Sequence, residues 1–270
     1  MFRRLLTLSL VMALLLSLIP MPFVNAAAIE FTDTVQAQLN ATADRAGGTV
    51  RTKLIKQFDD FKSERNQVMD LDDRISSLRY ANEAKASETR KKISEIDKDK
   101  IRKLEDQLQA AKTKYQPLFN TYSALNKQIT AAKKLKDKSL SKMLQSQASG
   151  MKILVSLGRD DIRNKQTALT AAKKERTSKA AKVRSILSEI ESYKSKIKSD
   201  KSAISTPNKR MTTEWKNFKA AVKANESART SDALSRLLTL SGQILTTKKS
   251  IYSHEQKIES IITRANAQLK

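Results

Sequence analysis

The chain has no cysteine, one histidine, five glycines and four prolines in 270 residues. Without cysteine there is no disulfide framework, no thiol nucleophile and no cysteine-based zinc site. A single histidine excludes a histidine metal cluster. Aromatic residues make up only 5% of the chain, which argues against a thick globular core and against a base-stacking platform. The scarcity of glycine and proline argues against an all-β protein, which needs a turn roughly every 8–12 residues. What is present is lysine, alanine, serine and leucine, with a formal charge of +24.

Long apolar runs are also missing, with one exception at the N-terminus. Arg3 and Arg4 precede Leu5 to Ile19, which only Thr7, Ser9 and Ser17 interrupt, and Pro20 and Pro22 close it. Val24-Asn25-Ala26 then supplies the small or aliphatic residues of a cleavage site. Residues 1–26 therefore read as a signal peptide, with Ala27 starting the mature chain. The run is short for a membrane-spanning helix of ~20 residues. No cysteine follows it, so a lipoprotein anchor is excluded. The expected location is extracellular or associated with the cell wall.

Beyond the leader, apolar residues recur at alternating steps of three and four. One series runs Ile101, Leu104, Leu108, Ala111, Tyr115, Leu118, Tyr122, Leu125, Ile129, Ala132. Others are Val68–Leu71–Ile75–Leu78, Val183–Ile186–Ile190–Tyr193–Ile197, and Leu237–Ile244–Ile251–Ile258–Ala265, the last with Leu234, Ile262 and Leu269 alongside. This is the period of helices packed along a seam. Lys136, Lys165, Arg176 and Lys179 fall on or near seam positions, and Thr89 and Lys92 disturb the phase. Such faults favour an intramolecular antiparallel bundle over a long parallel dimer. The expected fold is all-α: an elongated antiparallel helical bundle or coiled coil of about five helices.

Local signals divide the chain. Gly47-Gly48 should end a short N-terminal helix within residues 27–48. Residues 49–206 should form long coiled-coil helices. Breaks are expected near 117, where Pro117 should kink a helix or start one, and at 150–158. That window, bounded by Gly150 and Gly158, reads as a buried connection or as a helix passing through both glycines, and alternatively as a membrane-active segment. Asp160 and Asp161 suit the start of a helix after it. Ser205-Thr206-Pro207-Asn208 should be a turn, opening a helical hairpin over 207–270. Ser231-Asp232 is the expected cap of its last helix.

The charge is uneven. Residues 27–106 carry 16 basic and 16 acidic side chains, whereas residues 107–223 carry 27 basic and 8 acidic, a net of +19. The dense runs are Lys133, Lys134, Lys136, Lys138 and Lys142, then Lys173, Lys174, Arg176, Lys179, Lys182 and Arg184, then Lys194, Lys196, Lys198 and Lys201. Such a block repels itself in isolation and attracts a polyanion by releasing its counterions. Lysine outnumbers arginine in these runs, which favours diffuse attraction over bidentate phosphate recognition. The first two runs are the expected polyanion-binding residues. Given the export signal, the expected partner is an anionic cell-wall polymer, a lipid surface or extracellular nucleic acid. Self-association through helices is a further expected contact.

No nucleophile elbow, phosphate-binding glycine loop or metal motif is present, so neither a catalytic role nor a cofactor is expected. Asp70, Asp72 and Asp73 read as a solvated helix face, His254 as an exposed helix histidine, and Glu189 and Glu191 as unrelated faces. Trp215 and Phe218 flank Lys216 at helix spacing, which reads as core and alternatively as a surface anchor. The functional expectation is a secreted or cell-surface scaffold or adhesion protein held electrostatically to an anionic polymer or surface. The alternative is a membrane-active helical protein, either a curved lipid-binding bundle or a small pore-former.

Overall fold

The computed structural model describes residues 29–269, in seven α-helices with no strand among the described residues. They are α1 (Asp33–Ala46), α2 (Gly48–Glu95), α3 (Lys98–Lys134), α4 (Lys138–Ser188), α5 (Ile190–Ala203), α6 (Ser205–Lys223) and α7 (Ser227–Ala267). Four are long: α2, α3, α4 and α7 have 48, 37, 51 and 41 residues. The fold is an all-α helical bundle, as the periodicity requires. The count exceeds five because single residues, Glu189 and Ile204, interrupt otherwise continuous helix. Both keep right-handed helical angles, with φ −60° and ψ −23° at Glu189 and φ −78° and ψ −10° at Ile204. The expected signal peptide and its cleavage site lie outside the described residues.

The seam positions are where the sequence places them. Ile101, Leu108, Ala111, Leu125, Ile129 and Ala132 are buried, and so are Leu234, Leu237, Ile244, Ile251, Ile258, Ile262 and Ala265. The phase fault at Thr89 is absorbed because its hydroxyl donates to the Lys85 carbonyl at 2.7 Å, so the buried side chain leaves no bare donor.

Several expected boundaries shift. α3 runs through Pro117 without a break. Proline removes one N–H, yet Thr113 and Pro117 are both exposed, so the freed Thr113 carbonyl is open to water. The 150–158 window is interior to α4, which passes through both glycines, and Asp160 and Asp161 therefore start nothing. The turn expected at 205–208 is only the lapse at Ile204, with Pro207 in the first turn of α6 where its missing N–H costs little. α7 starts at Ser227, ahead of Ser231-Asp232.

Among the described residues the chain forms two compact units, residues 29–76 with 195–253 and residues 77–194 with 254–269; α2, α5 and α7 contribute to both. The first unit is built on an aromatic cluster. Phe31 meets Phe58, Phe61 and Trp215 edge-on at 5.5–5.7 Å, and Phe218 stacks on Trp215 at 5.1 Å. Trp215 is 5% exposed, so it belongs to the core and is not a surface anchor. In the same unit Thr42 donates to the Val222 carbonyl at 3.0 Å, joining α1 to α6, and Gln57 donates to Ser235 at 2.8 Å, joining α2 to α7.

The second unit contains the α3–α4 hairpin. Its two apolar clusters hold residues of α3 and α4 alone: Ile101, Leu108, Leu169 and Ala172 in one, and Leu125, Ile129, Ala132, Leu144 and Ala148 in the other. In this unit α2 meets α7 through buried Asn82, which donates to the Glu255 carbonyl at 2.9 Å and carboxylate at 3.0 Å. The neutral segment 27–106 is consequently not a folded piece by itself. Its Phe58 and Phe61 pack on Phe218 and Trp215, and its Asn82 on Glu255.

Candidate functional site: a lysine-rich helical hairpin

The turn between α3 and α4 sets the geometry of the basic cluster. Lys136 adopts φ 61°, in the left-handed region. Its N–H reaches the Lys133 carbonyl at 3.1 Å, while the Asp137 N–H reaches that of Ala132 at 3.1 Å. This paired arrangement satisfies the last carbonyls of α3 and reverses the chain. The Asp137 carboxylate then caps α4 by accepting from the Leu140 N–H at 2.9 Å. Lys133, Lys134, Lys136, Lys138 and Lys142 thereby gather at one end of a two-helix hairpin, all exposed.

This end has almost no acidic side chains. Residues 107–158 contain nine lysines and a single carboxylate, Asp137, a net of +8. Among the described residues none of the nine forms an ion pair. The Lys114 ammonium lies 5.2 Å above the ring of its neighbour Tyr115.

The second basic run is different. Lys173 pairs with Glu105 at 2.7 Å, and Lys179 bridges Glu175 at 3.0 Å and Asp97 at 3.3 Å. Arg176 donates to the Ser94 carbonyl at 3.1 Å. Glu175 is also met by Lys100 at 3.0 Å. Hydrogen bonds from Lys100, then from Lys179, hold the Glu175 carboxyl below its ordinary 4.5, and Glu175, then Asp97, raises Lys179. Three of the six expected binding residues thus fasten the base of the hairpin. Lys174, Lys182 and Arg184 are exposed and make no such pairing. The structure therefore separates the eleven basic residues into a free cluster at the turn and a partly neutralised one at the base. In the third run, Lys194 pairs with Glu191 at 3.2 Å.

The hairpin also carries a feature that charge counting misses. Among the described residues, six of the nine exposed large hydrophobic side chains lie between Leu135 and Leu157: Leu135, Leu140, Met143, Ile153, Leu154 and Leu157, at 39–79% exposure. The α4 seam runs Ser141, Leu144, Ala148, Met151, Val155, Gly158. The exposed positions Leu140, Met143, Gln147, Gly150, Leu154, Leu157 each precede a seam position by one residue, placing them about 100° around the helix. This doubled series is visible in the sequence once the seam phase is known. Gly158 marks the close approach of the two helices. A Cβ there would sit 2.8 Å from Tyr115 Cδ1 and 3.3 Å from Phe119 Cε1.

The remaining candidates take structural positions. Asp70 pairs with Arg74 at 3.4 Å, Asp72 with Lys248, and Glu189 with Arg264. His254 is half-buried rather than exposed, its ring 5.8 Å from that of Tyr193. Among the described residues, no three His, Cys, Asp or Glu side chains come together as metal ligands, and no helix is long and apolar enough to cross a membrane. No family model matches the chain, and neither a curated protein nor a solved structure is detectably similar to it.

Proposed function

We propose that the protein is a non-enzymatic, exported helical scaffold or adhesion module that holds to an anionic polymer or surface through the turn end of its α3–α4 hairpin. The export signal in residues 1–26 supports the extracellular or wall-associated location. The observation that carries the reading is the set of nine exposed lysines in residues 107–158 without a partner carboxylate. A basic surface made for solubility alone mixes both signs, as residues 27–106 do. Here the nearest available neutralisation is external.

Lysine ammonium groups on flexible stems give attraction without fixed geometry. Binding should therefore tolerate different polyanions and weaken steeply with salt as condensed counterions return. A salt titration of the full mature chain on teichoic acid and on duplex DNA tests this. Affinity for both should fall linearly on a log–log plot. An affinity unchanged between low and high salt rejects the reading.

A further inference from the structure

The exposed apolar stripe beside the lysines needs a partner that a polyelectrolyte does not provide. We propose that the turn end of the α3–α4 hairpin docks in the plane of an anionic lipid bilayer. Leu140, Met143, Ile153, Leu154 and Leu157 enter the interfacial zone while the lysines engage headgroup phosphates. This rests on the electrostatic reading above and names its partner.

Four observations converge. The stripe is uncovered, since both apolar clusters of the hairpin contain α3 and α4 residues only. It is amphipathic, since helical spacing places Lys138, Lys142 and Lys152 on the sector next to Ile153. A basic helix with such a stripe lies in a bilayer interface, its lysine stems extending to the headgroups. Leu140 to Leu157 covers about 26 Å of helix axis, interrupted by Lys142 and Lys152, which suits lying along the surface rather than crossing it. Charge selects against a second copy, because pairing two such ends brings together two segments of +8 with one carboxylate each. A dissolved polyanion answers the lysines and leaves the stripe in water.

The test uses the full mature chain and vesicles of phosphatidylglycerol and phosphatidylcholine in a ratio of roughly one to two, with pure phosphatidylcholine as control. Co-sedimentation should show binding to the anionic vesicles that weakens with salt, and little to the control. The combined Ile153→Ser, Leu154→Ser and Leu157→Ser variant alters exposed positions, so its circular dichroism should match the native chain. Its vesicle affinity should drop on the order of tenfold or more, while its affinity for teichoic acid and DNA stays unchanged. In a separate Leu154→Trp variant, tryptophan emission should shift to the blue on adding anionic vesicles and not on adding DNA. Vesicle affinity unaffected by the serine variant overturns the proposal and leaves the electrostatic reading standing. So does salt-dependent polymer binding without vesicle binding. A native dimer that the serine variant abolishes, with vesicle binding unchanged, assigns the stripe to a second copy instead. Failure of the native chain to bind any of the anionic partners removes both readings.

Discussion

Lys136 holds φ 61° at the hairpin turn, a conformation that costs a side chain with a Cβ roughly 1–2 kcal/mol. Lys136→Gly should therefore stabilise the chain by about 1 kcal/mol, less a few tenths for the greater freedom of glycine when unfolded. Denaturant midpoints at equal slope would show it, and a destabilised Lys136→Gly would mean the turn is not left-handed there. The base of the hairpin yields a pH prediction. Glu175 has a depressed carboxyl when folded, so its contribution is present above its ordinary 4.5 and is lost as pH falls through the lower folded value. Lys179 is raised, so its share is complete below 10.5 and is lost only as pH rises beyond that. Glu175→Gln should lower the melting temperature slightly at neutral pH and leave a smaller further drop on acidification than the native chain shows. Equal acid sensitivity in both would deny the pairing. The effect is small because both side chains are exposed to solvent and their pairing is screened.

Within α4, two glycines should respond oppositely. Gly150 has open space around its would-be Cβ, so Gly150→Ala should stabilise by about 0.5–1 kcal/mol through helix propensity alone. At Gly158 the same methyl meets the Tyr115 ring at 2.8 Å, and the ring is held between helices. Gly158→Ala should lose that gain and cost up to roughly 1–3 kcal/mol through overpacking. Thermal melts of both variants check the pair, and equal stabilisation would show that the helices do not meet there. The same two residues show how far the sequence can be read. The seam was legible because burial follows the step of three and four. Helix continuity was not, since glycine, Pro117 and an Asp160-Asp161 pair signal boundaries locally while the seam against α3 carries α4 straight through. Conversely, the lapse at Glu189 bears no strong local signal, whereas the one at Ile204 lies directly before the Ser205-Thr206-Pro207 signal and is weaker than that signal suggests.

For the molecule as a whole, the charge division and the folded division do not coincide. The neutral segment 27–106 packs into both units, so cutting it out would expose Phe58, Phe61 and Asn82 and test folding rather than binding. The eleven basic residues were readable in the sequence as a group. Their separation into a free turn cluster and a base cluster paired to Glu105 and Asp97 was not, because those two pairs join side chains about 70 and 80 residues apart; the Lys179–Glu175 pair alone is local. The central claim is that the turn cluster carries the affinity. It is tested most directly by parallel salt titrations on duplex DNA of the full mature chain and two variants. One replaces Lys133, Lys134, Lys136, Lys138 and Lys142 by Gln; the other replaces Lys173, Lys174, Arg176, Lys179 and Lys182. Each lysine that neutralises a phosphate contributes about 0.9 to the log–log slope, so the turn variant should flatten it by up to roughly 4. The base variant should flatten it by less than half as much and lose stability instead. Equal flattening by both, or a slope unchanged in the turn variant, would contradict the account.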